Sequence, residues 1–329
     1  MLPTYCLLLT AYCSLLMFLA YLFPGQGAQA IGMGKAFYDQ FDEAKEVYRT
    51  ATRRLGFDIA TLCFEGPQEE LTKTHRCQLA LFVTGLAAFA AFKRVVSSLL
   101  KPVAAAGLSL GELTALAAAE AFSLEQGCYL VQARGELMSE CAQQSRGAML
   151  AVVGLSAEAI RPICEESEAV AANYNAQDQI VLSGTVEAIA KAEQLAKAQG
   201  AKRAVRLEVA GAFHSPLMQP AADKFKQVLS KVEFRAPVFP IVSNVTGEPT
   251  QEPETIRRLL AQQIVSPVRW EPSIRTVINA GATRFLEFPP AKVLTALLRK
   301  IDASVKGMTL DAPNDFEKLS EFLPARLDA

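Results

Sequence analysis

A chain of 329 residues, 51% hydrophobic and 20% charged, is long enough for one large domain or two ordinary ones and can bury a sizeable core. With 33 basic and 34 acidic side chains the formal net charge is −1, which excludes nucleic acid or an anionic membrane surface as the main partner. The seven cysteines are odd in number, show no C-x-x-C spacing and stop at Cys164, so they read as buried or idle thiols in a reducing compartment, with no disulfide framework and no metal site.

Residues 1–16 read as an N-terminal extension or the remnant of a targeting segment. Residues 7–23 are almost wholly apolar, and no Lys or Arg precedes Lys35. The basic start and A-x-A-like end of a secretory signal are missing, and the length is marginal for a membrane anchor. Residues 17–23 read as the first core strand. The Phe23-Pro24-Gly25-Gln26-Gly27 stretch after it reads as a tight loop whose N–H groups can approach a ligand. Amphipathic helices are expected over 36–55 and 78–100.

A short apolar run at 102–106 predicts a buried strand, and the Ala/Leu-rich run 113–121 a helix. Between them Gly107-Leu108-Ser109-Leu110-Gly111 fits the G-x-S-x-G nucleophile elbow. The spacing puts Ser109 on a sharp turn with its hydroxyl outward and a helix N-terminus aimed at any oxyanion formed beside it. An ordinary turn with a capping serine has the same pattern.

Ser123, with Gln126 three residues on, opens the next helix through a capping box. Leu124, Cys128, Val131, Met138 and Cys141 then share one apolar face. Arg134 falls on that face. An unpaired buried charge costs several kcal/mol (roughly), so Arg134 needs an anion, either a structural glutamate or a substrate carboxylate held by the guanidinium fork.

Residues 146–209 have their own rhythm: strand 148–155, helix 157–166, strands 169–173 and 179–183, helix 186–199 stopped by Gly200, and strand 204–209. The β-α-β-β-α-β order predicts a small ferredoxin-like subdomain inserted in a larger one. Gly211-Ala212-Phe213-His214-Ser215-Pro216 follows, before a helix over 217–231. The chain has only two histidines. His214 lies in a strand-to-helix loop, where catalytic groups tend to be placed, whereas His75, in a polar Thr-Lys-Thr-His-Arg segment, reads as surface. A strand at 238–244, a helix at 255–264, a final α/β pair at 284–288 and 292–301, and a peripheral tail after Asp311 complete the chain.

Taken in order, Phe23-Pro24-Gly25-Gln26-Gly27, Gly107-Leu108-Ser109-Leu110-Gly111-Glu112, Arg134, Asn173-Tyr174-Asn175, Gly211-Ala212-Phe213-His214-Ser215 and Gln263 ahead of Pro267-Val268-Arg269-Trp270 resemble the malonyl-CoA:acyl-carrier-protein transacylase family of type II fatty-acid synthesis. The related acyltransferase domains of polyketide synthases share the pattern. The resemblance covers about residues 17–311. It implies an α/β fold: a large α/β-hydrolase-like domain with a mostly parallel sheet (17–145 and 210–311), the ferredoxin-like insert (146–209) and a C-terminal tail (312–329).

The resemblance also implies roles. Ser109 would take the malonyl group from coenzyme A as an ester. His214 would move the proton, oriented by the main-chain carbonyl of Gln263 in place of a carboxylate. The N–H groups of Gln26 and Leu110 would form the oxyanion hole. Arg134 would grip the malonyl carboxylate, with Asn175 and Phe213 beside the substrate; the Phe213 ring favours malonyl over methylmalonyl. Holo acyl carrier protein would receive the group on its phosphopantetheine thiol, so no metal or redox cofactor is required. Lys202 and Arg203 are the candidate basic patch for that acidic partner.

A monomer is expected, without a membrane, in the plastid stroma of a eukaryote or otherwise the cytoplasm. Two departures from the family stand out: Leu108 where a histidine is common, as in plastid members, and Pro289-Pro290-Ala291 where a Gly-Pro-Gly turn is usual. A trans-acting polyketide-type acyltransferase, a serine esterase and an inactive carrier-binding module are the rival readings. The esterase would want an acid paired with His214 and an HGGG-like loop, and neither is evident.

Overall fold

The computed structural model describes residues 18–96, 101–290 and 292–323. The expected N-terminal extension, the end of the 78–100 helix, Ala291 and the last six residues of the tail lie outside the described residues. Ten strands are described: β1 Leu19–Phe23, β2 Ala104–Gly107, β3 Gly147–Val153, β4 Val170–Ala176, β5 Gln179–Thr185, β6 Arg203–Arg206, β7 Ile241–Val242, β8 Pro249–Thr250, β9 Arg284–Glu287 and β10 Lys306–Thr309. They form two sheets.

The larger sheet has the order β10-β9-β1-β2-β7-β8. Every pairing is parallel except β7 with β8. β1 is buried on both faces, as a central parallel strand requires. Its alternate residues enter different cores: Leu19, Tyr21 and Phe23 join one cluster, Ala20 and Leu22 the other. Tyr21 meets Phe89, Phe92, Phe239 and Phe288 edge-on at 5.5–5.9 Å between ring centroids. Such pairs contribute about 0.5–1.5 kcal/mol each beyond simple burial. This locks β1 against the Thr74–Val95 helix. That helix is apolar and long enough to cross a membrane, but most of it is buried inside the fold, which makes it a core helix.

The smaller sheet, β4-β5-β3-β6, is antiparallel. The helices Ala157–Ser167 and Val186–Ala198 pack on it around Leu150, Ile160, Ile180, Leu182 and Ile189. This is the ferredoxin-like order, carried as an insert between the Leu124–Ser145 helix and the segment leading to His214. An isolated bridge from Asn173 to Val268 joins it to the larger unit. The α/β class with its inserted antiparallel subdomain agrees with the sequence expectation.

Several element boundaries differ. The single helix expected over 36–55 is two, Lys35–Gln40 and Asp42–Leu55, broken at an extended Phe41. Phe41 leaves the spiral and its ring packs on Phe316, while Asp42 and Glu43 favour a fresh helix start through the dipole. The helix expected from 78 starts at Thr74 and ends at Val95. The one expected at 113–121 is Leu110–Ala118, beginning directly after Ser109. The strands expected at 204–209 and 238–244 shorten to Arg203–Arg206 and Ile241–Val242. The tail is a 3-10 turn, Pro313–Lys318, followed by a short helix, Leu319–Phe322.

The register positions the site. Phe23 pairs with Gly107, and Ala106 with Val242. The loops leaving β1, β2 and β7 therefore emerge side by side at the carboxyl edge of the sheet, where open α/β sheets place their ligands.

Candidate active site

Ser109 stands between β2 and the Leu110–Ala118 helix with φ 55° and ψ −102°. A non-glycine residue held there is strained by about 1–3 kcal/mol, and surrounding structure must enforce it. Two glycines allow the turn: a Cβ on Gly107 would fall inside the backbone of Gly111, and one on Gly111 inside that of Phe23. Asn244, just past β7, braces the turn by accepting the Ser109 N–H at 2.7 Å and donating through Nδ2 to the Gly107 carbonyl at 2.7 Å. Leu110 is the first residue of the helix, so no helical carbonyl can take its N–H. Gln26 follows Gly25, whose Cα faces the Leu108 carbonyl too closely for any side chain. The N–H of Leu110 and the loop carrying Gln26 thus flank the serine.

His214 Nε2 lies 2.8 Å from Ser109 Oγ, and His214 Nδ1 lies 2.8 Å from the main-chain oxygen of Gln263. A carbonyl can only accept, so Nδ1 carries the proton and Nε2 is free to accept from the serine hydroxyl. His214 also has positive φ, 56°. Burial, and then the nearby Arg134 charge, push its pKa down to about 4. The imidazole is neutral at physiological pH, the form a general base needs.

Arg134 is 1% exposed. Nη1 donates to Gln78 Oε1 at 2.7 Å, and Nη2 donates to Ser109 Oγ at 3.0 Å and Gln263 Oε1 at 2.9 Å. Nε is buried with no partner. Among the described residues its hydrogen bonds go to two amides and a hydroxyl, never to a carboxylate. The structural ion pair considered from sequence is therefore not formed directly. Burial lowers the Arg134 pKa to about 10, opposed by the charge of Glu112, so it stays cationic at neutral pH.

Gln263 ties these groups together. Besides the contacts already given, its Nε2 donates to Glu112 Oε2 at 2.7 Å and to the Ser109 carbonyl at 3.0 Å. Glu112 also accepts from the Asn244 N–H at 3.1 Å. Burial pushes the Glu112 carboxyl up to about 7, against the lowering effect of these hydrogen bonds and of Arg134.

The structure thus brings Ser109, His214, Arg134 and Gln263 into one buried cluster. Phe213 is buried directly before His214. Asn175 sits on β4 with its buried Oδ1 unpartnered. Lys202 and Arg203 are exposed at the start of the edge strand β6, outside the cluster. His75, expected at the surface, is half-buried, because the helix that carries it packs against Gly135. Sequence reasoning did not assign Gln78, Glu112 or Asn244 to the site. A lone glutamine in the apolar run from Cys77, and a glutamate one turn after Ser109, were the available signals. The described part of the late loop has a cis Pro289–Pro290 bond and a Lys292 at φ 93°.

The chain matches the family model described as "Acyl transferase domain" over residues 20–312. It is 43% identical over 304 residues to the malonyl CoA-acyl carrier protein transacylase of Bacillus subtilis, covering 91% of this chain and 95% of that protein. The solved acyl-carrier-protein-S-malonyltransferase of Bartonella henselae superposes with a TM-score of 0.90 at 37% identity, over 93% of this chain and 99% of that one. A malonyl-transacylase in complex with a type II PKS acyl-carrier protein gives a TM-score of 0.89 at 35% identity, over 92% and 99% of the two chains.

Proposed function

The chain belongs to the acyl transferase domain family and is an acyltransferase, and on that premise we propose that it moves a malonyl group from malonyl-CoA to the phosphopantetheine thiol of acyl carrier protein, supplying fatty acid synthesis. The observation that carries the malonyl reading is Arg134: a buried guanidinium bonded to Ser109 Oγ, with a donor to spare and no carboxylate of its own. A site built around such a group discriminates against acetyl, which brings no carboxylate to the spare buried donor.

In the first half-reaction Ser109 Oγ attacks the thioester carbonyl while His214 Nε2 takes its proton. The oxyanion that forms is met by the N–H groups of Leu110 and Gln26, each worth roughly 3–4 kcal/mol in the transition state. The C–S bond then breaks, and His214 returns the proton to the coenzyme A thiolate. The carrier thiol reverses these steps in the second half. The Gln263 carbonyl holds the imidazole in the required tautomer throughout. Asn175 and Phe213 line the acyl group, and Phe213 crowds any methyl on its α-carbon. Lys202 and Arg203 meet the acidic carrier. No step calls for a metal or redox cofactor.

We take 17–145 with 210–311 as the catalytic unit and 146–209 as its partner wall, in a monomer that works in cytoplasm or, in a eukaryote, plastid stroma. A polyketide carrier as the client is the second reading, favoured by the relative seen with a type II PKS acyl-carrier protein. The esterase reading is disfavoured by the carbonyl, in place of a carboxylate, on His214 Nδ1. Intact-protein mass after mixing with malonyl-CoA tests the proposal: a malonyl adduct is expected on the wild type and none on Ser109→Ala.

A further inference from the structure

Glu112 is the one buried carboxylate in the Ser109 cluster, and the transfer steps above do not use it. It is 3% exposed. Its Oε2 accepts from Gln263 Nε2 and from the Asn244 N–H. The other end of the Gln263 amide accepts from Arg134. A single amide therefore stands between a buried anion and a buried cation, and orients both. The groups facing Glu112 are Gln263 at the end of the Pro253–Gln263 helix, Ser243 and Asn244 after β7, and Arg134 from the Leu124–Ser145 helix. Next to Arg134 is His214, which stays neutral down to about pH 4. Arg134 is thus the balancing charge for Glu112 among the described residues.

On the malonyl reading, on which this inference rests, a malonyl carboxylate reaching Arg134 puts two anions about one buried guanidinium. Two carboxylates in that position do not both remain ionised, because burial and mutual repulsion favour proton uptake by one of them. We propose that Glu112 is a positioning residue for acyl specificity: it balances Arg134 in the empty site and takes a proton from solvent when a carboxylate-bearing acyl group binds. The exchange leaves the site with one cation and one anion before and after binding. It lets Arg134 be held rigid without a direct ion pair that substrate would have to break. Burial already pushes the Glu112 carboxyl up to about 7, so the proton is readily gained near neutrality.

The test is the KM for malonyl-CoA between pH 6 and 9 in the wild type and in Glu112→Gln, with acetyl-CoA, whose coenzyme A half titrates identically, as the probe lacking the acyl carboxylate. The Gln263 and Asn244 bonds to Glu112 fall on one oxygen, which the carboxamide retains, and the Ser243 hydroxyl that also bonds the carboxyl can rotate to donate or accept, so Glu112→Gln removes the charge and keeps the hydrogen-bond partners. Proton uptake requires the wild-type KM for malonyl-CoA to rise at least about 10-fold from pH 6 to 9, up to a limit of tenfold per pH unit. The rise is absent with acetyl-CoA and absent in Glu112→Gln. A wild-type KM that stays flat, or a rise that persists in Glu112→Gln or with acetyl-CoA, overturns the inference and leaves Glu112 as a structural brace. If the variant does not fold, the wild-type comparison of the two thioesters still decides. Failure of the malonyl reading is seen separately, as the absence of a malonyl ester on wild-type Ser109.

Discussion

The imidazole of His214 is held by the main-chain carbonyl of Gln263, 2.8 Å from Nδ1, and no carboxylate stands in that place. A neutral acceptor fixes the tautomer but offers an imidazolium little of the stabilisation a carboxylate would give. With burial and Arg134 added, the pKa falls to about 4. The acid limb of Ser109 malonylation should therefore lie near pH 4, where an ordinary histidine would place it near 6.5. The same shift acts on stability. Between pH 6.5 and 4 the unfolded chain takes up a proton that the folded site refuses, so this group's contribution is intact above 6.5 and is lost as pH falls toward 4. Rapid-quench measurement of acyl-enzyme formation from pH 4 to 7 checks the limb, and a midpoint at 6–7 would contradict it.

Arg134→Ala should lower kcat/KM for malonyl-CoA by about 10²–10³-fold, the size expected when one member of a buried charged pair is removed. Acetyl-CoA should lose much less, so the ratio of the two substrates is the quantity to measure. An equal loss on both would mean that Arg134 serves the fold or Ser109 alone, with no part in choosing the acyl group.

Gly107→Ala and Gly111→Ala should each fail to give active, stably folded enzyme. The added methyl would sit inside backbone that cannot move without opening the elbow. Thermal melting and malonylation should fall together in both variants. A Gly107→Ala protein with wild-type melting and activity would show that the turn is looser than its dihedrals indicate.

Lys202→Glu with Arg203→Glu should raise the KM for acyl carrier protein several-fold and leave that for malonyl-CoA unchanged, since both side chains are exposed and apart from the Ser109 cluster. The effect should shrink at high salt. Equal changes for both substrates would remove the patch from the carrier interface.

The parts of this molecule legible in the sequence are those set by short-range spacing. Gly107, Ser109 and Gly111 encode a turn within five residues. The β-α-β-β-α-β insert is written in alternating periods, and Arg134 is conspicuous because it interrupts an apolar stripe. What stayed hidden depends on pairs far apart in the chain. Asn244 braces the elbow from 135 residues away, and the Gln263 side chain reaches Glu112 across 151. Neither position carries a local pattern. The break at Phe41 depends likewise on Phe316, so tertiary contact overrode a continuous helical period. The place of the Gln263 carbonyl was reached through family resemblance, because a backbone acceptor has no side-chain signature.

The most direct test of the account is the mass of the intact protein after brief exposure to malonyl-CoA, for wild type and for Ser109→Ala. A single added malonyl group is expected on the wild type, removed on addition of holo acyl carrier protein, and no addition to Ser109→Ala. An unmodified wild type that hydrolyses simple esters, or an adduct that persists in Ser109→Ala, would contradict it.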